Sequence, residues 1–442
     1  MAIDRDKEYA LRMAREWDVR FIRLWFTDIL GFLKNVAITV EELEGALEDG
    51  VGFDGSSIEG FARVQESDLL AVPDPSTFVP LPWRPREKAV ARMFCDIRRP
   101  DGSPFPGDPR YILKRNLERA RQMGYTFYVG PELEFFYFKD SIKPQFLDSG
   151  SYFDFTDAAT ELKRETILAL EEMGIMVEAS HHEVAPSQHE LDLRYTDALT
   201  MADSVMTARA VIKEVAQRNG YYATFMPKPV YGVCGSGMHV HQSLFRGTQN
   251  AFFDAGSPTR LSVTAQRFIA GLLRHARDIT AVTSQWVNSY KRLVPGYEAP
   301  VYVCWARGNR STLVRVPEYH PGREQASRVE YRSPDPACNP YLAFAAMLGA
   351  GLDGIEQALP LPEPMEDENL FELGEAEMRE RGIEMLPGSL LEAIQRFAGS
   401  DLMRETLGEH AFRSFLRNKR IEWDQYRTRV TDYELERYLP IL

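Results

Sequence analysis

The sequence predicts an α+β protein in two unequal parts, a strand-rich unit over residues 1–105 and a larger unit over 106–442. Three observations lead there. The chain has 442 residues, more than one ordinary domain, and its 44% apolar content supports a large core. Proline thickens through "PDPSTFVPLPWRP" (73–85) and again through "RPDGSPFPGDP" (99–109), and the second stretch reads as a linker. Beyond it, long amphipathic helical patterns alternate with strands, as expected of an α/β or α+β domain.

Taken in order, "VRFIRLWFTD" (19–28) and "VARMFCDI" (90–97) read as strands, and "TVEELEGALEDG" (39–50) as a helix stopped by Gly50. "DPRYILKRNLERARQMG" (108–124) is a helix with Asp108 as N-cap, Pro109 at its first position and Gly124 at its end. "FYVGPELEFFYF" (127–138) is strand-like. Helices follow over 157–174 and 201–220, each with a glycine stop. "NPYLAFAAMLGAGLDGIEQAL" (339–359) starts on an Asn-Pro cap and is small enough on one face to be buried.

Charge narrows the function. The net charge is −13, with the acids dispersed along the chain, which argues against a nucleic-acid binder and against an anionic membrane surface. A local basic pocket for phosphate remains compatible with it. Cys95, Cys234, Cys304 and Cys338 form no CxxC pair, as in a reduced cytosolic protein. No signal-peptide h-region opens the sequence, and no apolar run reaches the ~18–20 residues that span a bilayer. A soluble, cytoplasmic protein is expected.

The chemistry concentrates in a few stretches. "PELEFF" sets Glu132 and Glu134 two apart in a strand, so both side chains leave one face while Leu133 and Phe135 fill the other. Two carboxylates in aromatic surroundings stay ionised only with cations between them; a solvated edge strand is the competing reading. "SHHEVAPSQHE" (180–190) adds Glu183 and Glu190, and "GSGMHVHQSL" (235–244) adds His239 and His241 at strand spacing. Four glutamates and a histidine form the oxygen-rich set that suits Mg²⁺ or Mn²⁺ rather than Zn²⁺. Two such ions would suit phosphoryl transfer. Arg292, Arg310, Arg315, Arg328 and Arg332 lie in polar, proline-bounded segments, and their guanidinium forks fit carboxylate and phosphate.

Together "FDGSSIEGF" (53–61), "GPELEFF" (130–136), "HHEVAPSQHE" (181–190), "GSGMHVHQSL" (235–244), "NSYKRLVPGYEAP" (288–300), "NRSTLVRVP" (309–317) and "RSPDPACNPYLAF" (332–344) resemble type I glutamine synthetase, in order over essentially the whole chain. The resemblance implies an N-terminal β-grasp domain followed by a catalytic domain of the glutamine synthetase/guanido kinase-like kind. It implies a dodecamer of two hexameric rings with active sites shared between neighbours. ATP as co-substrate would phosphorylate the γ-carboxylate of glutamate, and ammonia would displace the phosphate. Two or more Mg²⁺ or Mn²⁺ ions are implied per site, the first held by Glu134, Glu183 and Glu190, the second by Glu132, His239 and Glu330. Arg292, Arg310 and Arg332, with Cys234 and Gly235, resemble glutamate-pocket residues, and Arg310 also faces the transferring phosphoryl group. Glu178, Ser243 and Arg315 resemble nucleotide contacts. Glu298 resembles the flap that closes over the intermediate, and Asp54, with Ser57 nearby, the group that binds ammonium and takes its proton. His181, His182 and His189 are left as packing or supporting residues.

Three positions bear on variation within the family. Cys234 stands where members commonly carry Asn, bordering the glutamate pocket. Phe371 replaces the tyrosine that some members have adenylylated. Length and the lack of an insertion resemble the shorter, alpha subtype, in which Arg63 would take part in feedback inhibition. A γ-glutamyl–amine ligase acting on a polyamine or ethanolamine is the alternative within the family. A non-catalytic scaffold of the fold predicts lost ligands, and all six are present.

Overall fold

The computed structural model describes residues 2–58, 67–155, 158–366 and 375–442; Arg63 and Phe371 fall outside them. The first sheet is built from β1 (Val19–Thr27), β2 (Leu33–Thr39), β3 (Val51–Asp54), β4 (Asp68–Pro73), β5 (Val79–Pro80) and β6 (Ala89–Arg98). Its order is β2-β1-β6-β4-β3, with β5 also on β6. β1 and β6 run parallel and the other described pairs antiparallel. A helix over Ala2–Glu16 precedes it and buries Ala10 and Ala14 against this unit's core. The expected single helix over 39–50 is a 3₁₀ turn, Val40–Glu42, followed by an α-helix, Leu43–Asp49.

Strand alternation divides this sheet between two cores. Ile22, Leu24, Met93, Cys95 and Ile97 face the small unit's own interior, whereas Trp25 and Phe94 turn into the large core of the chain. Fully burying Phe94 contributes about 1.5–3 kcal/mol. The proline-rich stretch at 99–109 is packed rather than loose. Phe105 is fully buried, and Asp108 caps the helix Pro109–Gln122 while also accepting from the Ile97 N–H at 2.9 Å.

The second sheet contains β7 (Thr126–Phe138), β8 (Val177–His182), β9 (Gln188–Leu193), β10 (Thr196–Asp197), β11 (Tyr222–Thr224), β12 (Met238–Arg246), β13 (Gln249–Asn250), β14 (Trp305–Ala306), β15 (Val314–Arg315) and β16 (Val329–Tyr331). The main path is β14-β15-β16-β12-β7-β9-β8, antiparallel except for β14–β15. That settles the larger unit as α+β. Long helices back one face: Ala198–Arg218, Val263–Thr283 and Pro340–Glu356. The last two cross at glycine, where a Cβ on Gly271 would lie 2.1 Å from the Ala350 carbonyl oxygen. Among the described residues no helix is long and apolar enough to cross a membrane.

The small sheet is fastened to the large unit by one buried cation. Arg110, 4% exposed, reaches Asp96 (2.7 Å) and Asp74 (2.8 Å) on the small unit and Asp203 (3.0 Å) on a backing helix. Tyr341 donates to the same Asp203 at 2.6 Å. Removing one partner of a buried ion network strands the others, at about 3–5 kcal/mol. Arg110→Met is therefore expected to lower the denaturant midpoint by that order, and an unchanged midpoint would show that the clamp carries no stability.

Candidate active site

Strand register assembles the site. β7 presents Glu132 and Glu134 on the face away from the helices, and its pairing sets His239 opposite Glu132 on β12. On the other side, Asp192 lies opposite Glu132 and Glu190 opposite Glu134 on β9, with His181 of β8 opposite Glu190. At the far edge Glu330 pairs with His241 and with Arg315. Direct antiparallel partners share a face, so these side chains project into one space. Leu133, Phe135, Leu191, Met238 and Val240 point the opposite way into the core.

The space is a cavity of about 920 Å³. Its lining includes Glu132, Glu134, Glu183, Glu190, His239 and Glu330, together with Cys234, Gly235, Arg292, Glu298, Arg310, Arg315 and Arg332. The structure thus brings together every expected metal ligand and every expected glutamate contact. Asp54, Ser57, Glu178 and Ser243 do not line it. Asp54 ends β3 on the exposed surface, accepting from Ser56 Oγ at 2.7 Å and Ser57 Oγ at 2.9 Å. These hydrogen bonds, that from Ser56 first, hold its carboxyl below the usual range. Ser243 is buried on β12, and exposed Glu178 opens the stretch of β8 that leads to Ala179 and Ser180 on the cavity wall.

Three groups of ligand atoms lie within 4.8 Å of one another along this face: Glu132–His239–Glu330, Glu134–Glu190–His239 and His181–Glu183–Glu190. His239 donates from Nδ1 to Glu132 at 3.1 Å, which leaves Nε2 facing Glu134 at 3.9 Å. His241 donates from Nε2 to Glu132 at 2.7 Å and accepts from Arg328 at Nδ1. Gln188 and the Gly237 N–H both donate to Glu134, at 3.1 and 2.9 Å. A Cβ on Gly237 would lie 2.5 Å from the Arg292 guanidinium, so a larger residue there would displace that side chain.

The electrostatics are severe. Burial, then repulsion from Glu134 and other acids, pushes Glu190 up to about 12. Burial and the Glu183 charge push Glu134 up to about 8. Burial also opposes ionisation of Glu132, but hydrogen bonds from His239 and His241 outweigh it and hold that carboxyl below its usual range. For Glu330 burial also opposes ionisation, but the Arg332 charge together with those of His241 and His239 prevails, and its carboxyl falls to about 2. Arg332 and Arg315 both bond Glu330, and Arg292 is held by the carbonyls of Ser333 (2.8 Å) and Arg332 (3.2 Å). Arg310 is exposed, lines the cavity and is hydrogen-bonded to Tyr152 on the same wall.

Of the three histidines left as packing or supporting residues, one reaches the carboxylates, and several further wall residues were not singled out in the sequence. His181 joins the carboxylates, with Nε2 2.8 Å from Glu183 and 3.5 Å from Glu190. Asp192, Gln188, Tyr152, Phe153 and Tyr297 also line the cavity. Alternation along "QHELDL" (188–193) signals Asp192, which shares the Glu190 face; the others follow from pairing and loop packing. His182 and His189 are buried beside each other behind the site, as packing residues, with His182 on Asp148 at 3.1 Å.

This sheet face, crowded with carboxylates, lined by arginines and backed by a dry core, has groups that could hold divalent cations and guanidinium forks suited to anions. The chain belongs to the glutamine synthetase family: residues 18–100 match the family model "Glutamine synthetase, beta-Grasp domain" and residues 106–438 match "Glutamine synthetase, catalytic domain". It is similar to the glutamine synthetase of Mycolicibacterium smegmatis, 55% identical over 99% of this chain and 100% of that protein. It is also similar to those of Methanosarcina mazei (53%, over 99% and 98%) and Thermotoga maritima (52%, over 97% and 98%). A solved structure, "GmaS/ADP complex-Conformation 1", superposes with a TM-score of 0.88 at 32% identity, over 97% of this chain and 99% of that one.

Glu134 is buried and belongs to one of the converging groups, with Glu190 and His239. Glu134→Gln is expected to weaken Mn²⁺ binding, followed by calorimetry or electron paramagnetic resonance, without altering the circular dichroism spectrum. Unchanged stoichiometry and affinity would remove Glu134 from the ligand set. Gln188→Ala, which frees Glu134 to rotate, should cost about 10–100-fold in affinity.

Proposed function

We infer that the chain joins ammonia to the γ-carboxylate of L-glutamate at the expense of ATP, by way of γ-glutamyl phosphate, releasing glutamine, ADP and phosphate. The activity is that of a glutamate–ammonia ligase. The observation that carries this reading is the single sheet face on which three ligand groups converge beneath buried arginines, in a chain of this family.

In this reading Glu134, Glu183 and Glu190 hold one Mg²⁺ or Mn²⁺ ion and Glu132, His239 and Glu330 another. The acid-rich donor set, with one imidazole, suits such ions. The ions supply positive charge to the nucleotide phosphates and the transferring group. Arg292 and Arg332, already fixed by carbonyls and by Glu330, orient the glutamate carboxylates with Gly235 and Cys234 beside them. Exposed Arg310 meets the phosphoryl group, and Arg315, Glu178 and Ser243 face the nucleotide. Asp54, helped by Ser57, binds ammonium and takes its proton, since only neutral ammonia attacks the acyl phosphate. Glu298 lies on the flap, the "PGYEAP" loop (295–300), that keeps water from the intermediate. Asp54 is exposed and does not line its own chain's cavity, which supports a site shared between neighbouring subunits of a dodecamer. Feedback by glutamine through Arg63, the alpha-like subtype, the division at 105/106 and a cytoplasmic location complete the proposal.

Three measurements test it. With ATP, Mg²⁺ and glutamate, ammonium should support product formation where putrescine and ethanolamine do not; preference for either larger amine would move the assignment to an amine ligase. Cys234→Asn should shift KM for glutamate and leave kcat little altered, whereas a collapse of kcat at saturating glutamate would place Cys234 in the chemistry. Inactive Asp54→Ala and Glu183→Gln subunits, disassembled, mixed equally and reassembled, should regain roughly a quarter of wild-type sites, because each half is intact with probability about one half. No recovery at any mixing ratio would mean that Asp54 acts within its own chain.

A further inference from the structure

One buried cation near the site has no part in the reading above. Lys228 follows the strand Tyr222–Thr224 and is 9% exposed. Its backbone is clamped on both sides by one residue: the Lys228 N–H donates to Asn288 Oδ1 at 2.7 Å, and Asn288 Nδ2 donates back to the Lys228 carbonyl at 3.0 Å. The loop that leaves it closes on itself, since the Ser236 N–H returns to the Pro227 carbonyl at 2.8 Å. The Lys228 ammonium crosses that loop and donates to the Val233 carbonyl, next to Cys234 on the cavity wall. Its other contact leaves the loop altogether. Nζ lies 4.0 Å from the ring centroid of Tyr297, well within cation–π range.

Tyr297 immediately precedes Glu298. The segment around them is anchored by buried Leu293 and Ala299, while its tip carries two left-handed residues, Gly296 at φ 89° and Glu298 at φ 58°. A non-glycine residue in that region is strained and is held there only by its surroundings. Tyr297 turns its ring toward the cavity, and the Lys228 ammonium beneath that ring is a contact able to hold the tip.

We propose that Lys228 is a positioning residue for the flap: by bridging the Val233 carbonyl and the Tyr297 ring, it fixes Glu298 over the glutamate pocket and so limits the loss of γ-glutamyl phosphate to water. The proposal rests on the flap reading of residues 295–300. In the productive step the ammonia nitrogen forms a bond to the acyl carbon, the bond from that carbon to the phosphate oxygen breaks, phosphate leaves with the electron pair, and the nitrogen sheds a proton. In the leak a water oxygen forms the new bond, the same bond breaks, and glutamate, phosphate and a proton result. Both routes consume one ATP, so phosphate released in excess of glutamine formed counts the leak.

The experiment measures that ratio on the intact enzyme at saturating glutamate and limiting ammonium. A cation–π contact of this kind, lost from a partly desolvated place, corresponds to roughly a fivefold rise in the leak. Lys228→Met should show it, and Lys228→Arg should return most of the coupling. Tyr297→Leu should reproduce the leak, Tyr297→Phe should keep the ratio low, and the double variant Lys228→Met/Tyr297→Leu should leak no more than the worse single one. The ratio is taken per turnover, so a poorly folding variant changes the rate and not the reading. If Lys228→Met fails to assemble, Tyr297→Leu carries the test. Tight coupling in both Lys228→Met and Tyr297→Leu overturns the proposal. Glu298→Gln separates the two failures. Should it leak while those variants stay coupled, only the role of Lys228 falls; should it also stay coupled, the flap reading falls with it.

Discussion

Everything at this site depends on the register of one antiparallel sheet. Because side chains alternate, a slip of one residue between β7 and either neighbour would carry Glu132 and Glu134 into the helix-backed core and bring Leu133 and Phe135 out. That exchange would bury two charges without partners and expose an aromatic face, so the alternative pairing is heavily disfavoured. The hydrophobic core therefore fixes the chemistry from behind. Leu133, Leu191, Met238 and Val240 are buried together, and their opposite neighbours have no choice but to share the cavity. The carboxylates and imidazole that β7, β9, β12 and β16 contribute are held in place by the packing of residues on the opposite face.

The same logic sets how the smaller unit sits. Trp25 and Phe94 enter the large core from one face of the first sheet, and Arg110 gathers carboxylates from both units. A buried guanidinium among Asp74, Asp96 and Asp203 is tolerable because its donors are satisfied and the net charge nearby is negative. The clamp holds the small sheet rigidly, with exposed Asp54 at the end of β3. That carboxylate is displayed on the surface and pre-bonded by two serine hydroxyls.

Much of this was legible in the sequence, and the reasons differ by residue. Glu132 and Glu134 were readable because a two-residue period in "PELEFF" states both the strand and the face. The arginines were readable because proline-bounded polar segments rarely concentrate guanidinium groups. The helix caps at Asp108 and Asn339 follow local rules and formed as expected. His181 was not placed among the carboxylates, since its position depends on β8 pairing with β9, a contact that no local pattern encodes. Tyr152 and Tyr297 reach the cavity from loops, where side-chain direction follows from tertiary packing. The stretch over 99–109 looked like a spacer by composition, yet buried Phe105 makes it part of the small core. Proline content reports what a backbone cannot form and says little about what its side chains touch.

The cavity is also unevenly compensated, and the unevenness follows its strand order. Toward β16, Glu330 and Glu132 are answered by Arg315, Arg332, His239 and His241, and both carboxyls lie below their usual range. Toward β8, Glu134 and Glu190 face Glu183 and Asp192, with Arg292 the main opposing charge on Glu134, and both lie far above it. Asp192 itself is raised to about 6, by burial and then by Glu132. A dry site can carry this imbalance only by taking up protons or by taking up cations. The two ends of the face are thus prepared for different partners. One end is already neutralised by protein groups that could be drawn off toward phosphate, while the other has a deficit of positive charge that the chain itself does not fill.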